Sequence, residues 1–167
     1  MRFFTQAWHA GEYSDEEAED IRARYLAHRS ELAPTLPADL RRFTEIDVHD
    51  ARIKSLILDR RDKGVRLELR AGDNQRGYFD LMLNYSGVDV STLDSKVLSD
   101  LAKDPESEAL YDEVDKSGEG YVHRWLWWPY REIDITFQKL TFDRVIADER
   151  NFARSREPFV EIAHVAS

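Results

Sequence analysis

Val65-Arg66-Leu67-Glu68-Leu69-Arg70-Ala71, followed by the polar loop Gly72-Asp73-Asn74-Gln75-Arg76-Gly77 and the run Tyr78-Phe79-Asp80-Leu81-Met82-Leu83-Asn84-Tyr85, decides the fold class. Apolar side chains recur at every second position in both runs, the period of a strand with one buried face. A short polar loop between two such strands makes them antiparallel neighbours. Upstream, Arg52 to Asp59 reads as another strand, and Asp62-Lys63-Gly64 supplies its turn. Three strands joined this way form an antiparallel meander.

Before residue 47 the period is helical. Ser14-Asp15-Glu16-Glu17 has the form of a capping box, in which Ser14 and Glu17 satisfy each other's backbone amides. Ala18, Ile21, Tyr25, His28 and Leu32 follow at steps of three and four and share one face, and Pro34 and Pro37 end the helix. A short turn through Asp39, Leu40 and Phe43 comes next. Downstream of the meander, Leu93, Val97, Leu98 and Leu101 have helical spacing, and Asp104-Pro105 closes that segment. Leu110 to Val114, Tyr121 to Trp127 and Arg131 to Phe142 resume as strands; a bulge near Lys139 would reconcile the parity of Ile133, Ile135 and Phe137 with that of Leu140 and Phe142. The expectation is an α+β fold, N-terminal helices packed on a mainly antiparallel β-sheet. One domain over 1–167 has its helical part at 1–46 and its sheet at 47–167.

The chain has 167 residues, no cysteine and a formal net charge of -9. Disulfides, thiolate nucleophiles and cysteine zinc sites are therefore excluded. The opening residues lack a signal-peptide pattern and no window suits a membrane span, so a cytoplasmic protein is expected. The acidic balance speaks against a nucleic-acid partner and for a basic protein partner. Between Asp94 and Gly120 nine acids face only Lys96, Lys103 and Lys116, leaving six net negatives. That stretch reads either as a docking face, with Asp112 and Glu113 among its candidates, or as a solvated, solubilising segment.

The histidines His9, His28, His49, His123 and His164 lack the paired spacing of a local metal site, so no metal and no cofactor is expected. Glycine-rich phosphate loops and nucleophile elbows are also missing. His49-Asp50 is the most suggestive dyad for acid/base chemistry or an alternative pocket. On extended backbone, however, the two side chains would face opposite ways. The strand from Tyr121 carries Tyr121, His123, Trp125 and Trp127 on one face and Val122, Arg124, Leu126 and Trp128 on the other. Either one face stays partly exposed, with Trp125, Trp127 and His123 as contacts for a partner, or both are covered by Phe3, Phe4, Trp8 and the long helix.

Met1-Arg2-Phe3-Phe4-Thr5, Val48-His49-Asp50-Ala51-Arg52-Ile53, Trp125 to Trp128 and Glu132-Ile133-Asp134-Ile135-Thr136-Phe137 together resemble an uncharacterised bacterial family. Its chains begin with a Phe-Phe-Thr or Tyr-Phe-Thr helix and carry a His-Asp-x-x-Ile strand. Such compact acidic sheet domains are loosely similar to toxin-immunity proteins. The resemblance implies partner occlusion and supplies no catalytic residues. The function expected is thus a non-catalytic protein-binding module; the alternatives are a hydrolase-type enzyme or a small-ligand-binding domain with a pocket near His49 and Asp50.

Overall fold

A computed structural model describes residues 1–163; His164 lies outside the described residues. Helix α1 (Gln6–His9) is followed by α2 (Asp15–Leu32), which begins at the expected capping box: Glu17 N–H donates to Ser14 Oγ at 3.3 Å and Ser14 N–H to Glu17 Oε2 at 2.9 Å. A 3-10 turn at Ala33–Thr35 and helix α3 (Ala38–Phe43) complete the helical part. Then come β1 (Arg52–Asp59), β2 (Gly64–Asp73) and β3 (Gly77–Ser86), followed by α4 (Ser95–Lys103), β4 (Ala109–Ser117), β5 (Gly120–Trp127), β6 (Arg131–Phe137), β7 (Lys139–Ala147) and β8 (Phe159–Ile162). The fold is α+β, with N-terminal helices and mostly antiparallel strands. No helix among the described residues is long and apolar enough to cross a membrane.

The strands form two sheets. The larger has the order β7-β3-β2-β1-β8 and contains the expected meander, with β8 added parallel to β1; the smaller has the order β4-β5-β6. Register explains the alternation read from sequence, for Val65 pairs with Leu58 and Tyr85, and Leu67 with Leu56 and Leu83, all on one buried face. Trp125, Trp127, Ile133, Ile135 and Phe137 belong to the same apolar cluster, and Tyr85 meets Phe137 ring to ring at 5.2 Å. Leu40 and Phe43 of α3 and Leu98 and Leu101 of α4 join this shared core.

One expectation is corrected at Gln138. Arg131 to Phe142 is not a single bulged strand: β6 ends at Phe137 in the small sheet, and β7 begins at Lys139 in the large one. The parity change of Leu140 and Phe142 is thus a change of sheet, with Leu140 beside Tyr85 and Phe142 beside Leu83. Two glycines make room for the crossing. A Cβ at Gly87, whose φ is +64°, would lie 2.7 Å from Gln138 Cγ, and one at Gly120 would lie 2.5 Å from the Phe137 carbonyl oxygen.

The outer face of the small sheet is also covered. Phe3, Ile21, Val122 and Leu126 are buried yet stand outside the main cluster. Phe3 meets Tyr25 and His28 of α2 at 5.6 and 5.5 Å between centroids. The N-terminal strap and α2 therefore lie over β4 and β5, with Arg2 bonded to Asp115 at 3.1 Å and His28 Nε2 3.4 Å from it.

Candidate ligand cleft

Strand β4 has two chemically different faces. Tyr111, Glu113 and Asp115 pair across to Leu126, Arg124 and Val122 on the outer face, while Asp112 and Val114 pair to Trp125 and His123 on the inner one. Asp112 and Glu113, both expected on one docking face, consequently point in opposite directions. Glu113 is buried and Asp112 half-buried, so the two do not share one acidic surface.

Glu113 is buried and serves as an anchor. Its Oε2 accepts the Arg2 amide at 2.7 Å, and its Oε1 accepts those of Phe3 and Phe4 at 2.8 Å each. Hydrogen bonds to a carboxylate are stronger than neutral ones, so this side chain is the principal polar tie of the strap. It places Phe4 against Tyr25 at 4.6 Å and in a stacked contact with Tyr111 at 5.0 Å.

Asp112 ends a polar chain that begins in the core. Tyr85 Oη lies 2.7 Å from His123 Nδ1, and His123 Nε2 lies 3.0 Å from Asp112 Oδ2. Burial pushes the Tyr85 phenol well above its ordinary range and keeps its proton on. With Tyr85 donating to Nδ1, the remaining Nε2–H donates to Asp112 Oδ2, and both ring nitrogens of His123 are satisfied. His123 is wholly buried, so it positions the carboxylate and offers no contact to a partner.

Beyond Asp112 lies a cleft of about 420 Å³ with three walls: the strap and α2 through Phe4, Tyr25 and Arg29, the segment entering β1 through Glu45 and Asp47, and β4 through Tyr111 and Asp112. This volume falls among small-molecule sites, roughly 300–1,000 Å³. Arg29 Nη2 donates to the Thr44 carbonyl at 2.5 Å, and its guanidinium stands 5.9 Å from the Tyr25 ring centroid. The Tyr25 hydroxyl is pushed up to about 12, chiefly by burial and then by the negative charge of Asp112.

His49 also lines this cleft, whereas Asp50 lines an adjoining cavity of about 250 Å³ that His49 shares. The expectation that the dyad diverges on extended backbone is corrected. Asp50 has φ +59°, a left-handed conformation, and brings its Oδ1 within 3.4 Å of His49 Nε2. The bend accompanies two backbone bonds of 2.8 Å, from Asp50 N–H to Ala109 O and from Ala109 N–H to Ala51 O. His49 Nδ1 stands 2.6 Å from the Leu110 carbonyl, which holds the ring at the rim. His123 lines neither cavity, so the three residues His49, Asp50 and His123 are not gathered in one pocket.

Trp125 and Trp127 are each 1 % exposed and stack on one another at 5.2 Å. Of the two readings of this strand, the one that makes them exposed contacts is corrected and the one that covers both faces holds, because the large sheet covers the inner face of β5 while the strap and α2 cover the outer one. The exposed indole is Trp128, at 41 %. Phe4, Tyr25, Arg29 and Tyr111 were missed as site residues; the parity of Tyr111 against Asp112 was the available signal. Among the described residues no group of three or more acids and histidines is arranged to hold a metal ion. No protein-family model, curated protein or solved structure matches this chain.

Proposed function

We propose that the chain is a non-catalytic binding domain whose recognition site is the cleft between its N-terminal part and β4. The observation that carries this reading is the cleft's construction: three aromatic rings beside a carboxylate held from behind by a fully buried histidine. Concave sites with apolar walls and a few oriented polar groups are the usual form of a ligand pocket. A binding role suits the chemistry as well. The imidazole in the polar chain is sealed from the cleft, and the one at the rim is tied to a backbone carbonyl.

Fragment screening by ¹⁵N–¹H NMR tests the site. Hits are expected to move the amides of 45–49 and 111–114. Hits confined to the hollow between Gly64, Asn84 and Ile162 would place recognition elsewhere.

An immunity-like protein that occludes a basic toxin is the second reading, and the exposed Trp128 at the end of β5, with half-buried rings beside it, favours it. Trp128 packs on Tyr130 at 5.0 Å, and His9 approaches both rings at 6.3 and 5.7 Å. Aromatic side chains of this type anchor protein contacts. A photo-crosslinker at position 128 should capture a basic protein that one at position 61 does not, and the purified partner should bind Trp128→Ala at least tenfold more weakly. Equal capture from both positions counts against it.

A further inference from the structure

The binding-domain reading leaves the chemistry of the ligand open, and the charges and rings of the cleft narrow it. Resting on that reading, we propose that the cleft takes an organic monocation, an alkylammonium or guanidinium group on an apolar stem, with its charge against Asp112 and its stem among Phe4, Tyr25 and Tyr111.

Three carboxylates line the cleft, Glu45, Asp47 and Asp112, against the single guanidinium of Arg29. Arg29 is engaged with the Thr44 carbonyl. Asp47 is partly spent too, since its Oδ1 accepts the His49 amide at 3.1 Å and its Oδ2 meets Arg76 at 3.2 Å. Glu45 remains exposed at the rim. Asp112 stands deeper, with Oδ2 occupied by His123 and Oδ1 without a hydrogen bond among the described residues. A carboxylate oriented by one donor and short of a second is an acceptor for a cationic N–H.

The walls point the same way. Aromatic rings attract cations through their negative faces, by about 0.5–1 kcal/mol in exposed settings and about 2 when desolvated. An anion would meet the opposite field from three acids and three rings, with Arg29 and the Arg76 that pairs with Asp47 in its favour. A bare metal ion fits poorly, because the carboxylates do not converge into a coordinating group. The volume holds roughly a dozen waters at about 30 Å³ each, room for a cation with an apolar stem.

The experiment uses the full chain and four probes of matched shape: benzylammonium, benzylguanidinium, benzyl alcohol and benzoate, titrated by NMR at fixed ionic strength. Both cations should shift the amides of 45–49 and 111–114 and bind at least tenfold more tightly than the alcohol, and raising the salt should weaken them. Asp112→Asn, isosteric with wild type, should lose about tenfold for the cations and little for the alcohol. Glu45→Gln, at an exposed position, should lose about two- to threefold and reports even where Asp112→Asn fails to fold. Benzoate or benzyl alcohol binding in the cleft as tightly as the cations overturns the monocation assignment and leaves the cleft standing as a site. Shifts confined to amides elsewhere, or none from any probe, overturn both. Cation binding unaffected by either substitution overturns the placement of the charge.

Discussion

One carboxylate oxygen of Glu113 accepts the amides of both Phe3 and Phe4 at 2.8 Å, so an acid on β4 holds the backbone that carries an aromatic wall of the cleft. Glu113→Ala should remove three charge-assisted bonds and leave the strap amides without partners. A hydrogen bond to a charged group contributes about 1.5–3 kcal/mol, so destabilisation of at least that size is expected in urea unfolding. The strap should also loosen locally, visible as faster hydrogen exchange at 2–4 than in α4. Unchanged exchange at those amides would show that aromatic packing alone holds the strap.

Ile21 is 8 % exposed on the face of α2 that meets the small sheet, whereas Leu26 on the same helix is 61 % exposed. Ile21→Asp places an unpaired charge in an apolar layer and should cost several kcal/mol, about 3 or more. Leu26→Asp should stay within about 0.5 kcal/mol, as surface changes do. Paired unfolding curves decide the matter: equal midpoints for the two variants would mean that this face of α2 is not core.

Trp125 and Trp127 are expected to behave as core and not as contacts. Truncating either to alanine should cost about 3–5 kcal/mol, the range for buried aromatics, and lower the thermal midpoint sharply. Trp128→Ala should leave stability nearly unchanged. A Trp125→Ala variant with wild-type stability would contradict the burial described.

Asp80 supplies a pH dependence. Burial opposes its charged form, but bonds from Arg70 at 2.7 Å and Lys54 at 2.6 Å prevail and hold the carboxyl below its ordinary range. A carboxyl lowered on folding contributes stability that is fully present above its unfolded pKa, near 4, and is lost as pH falls through the lower folded value. Asp80→Asn should therefore be less stable than wild type between pH 5 and 7, and the gap should close as the pH drops toward about 2. Denaturant midpoints measured across that range check the sign; a gap that widens toward acid would refute it.

What could be read from the chain alone was local. Ser14 and Glu17 define the start of α2 because a capping box closes within four residues. The alternation through Val65 and Leu83 defines the meander, because a period of two has one buried solution when the turns are short. The two-sheet arrangement was not legible, since Leu140 and Phe142 change parity for either a bulge or a crossing, and only the pairing of β6 with β5 and of β7 with β3 tells them apart. The cleft depended on tertiary structure almost entirely. Tyr25 and Tyr111 are far apart in sequence and meet around Phe4 because Glu113 gathers the strap. Asp112 and Glu113, alike in charge and adjacent in sequence, acquire different work for one physical reason: neighbours on a strand face opposite sides, and here each side has a different cover.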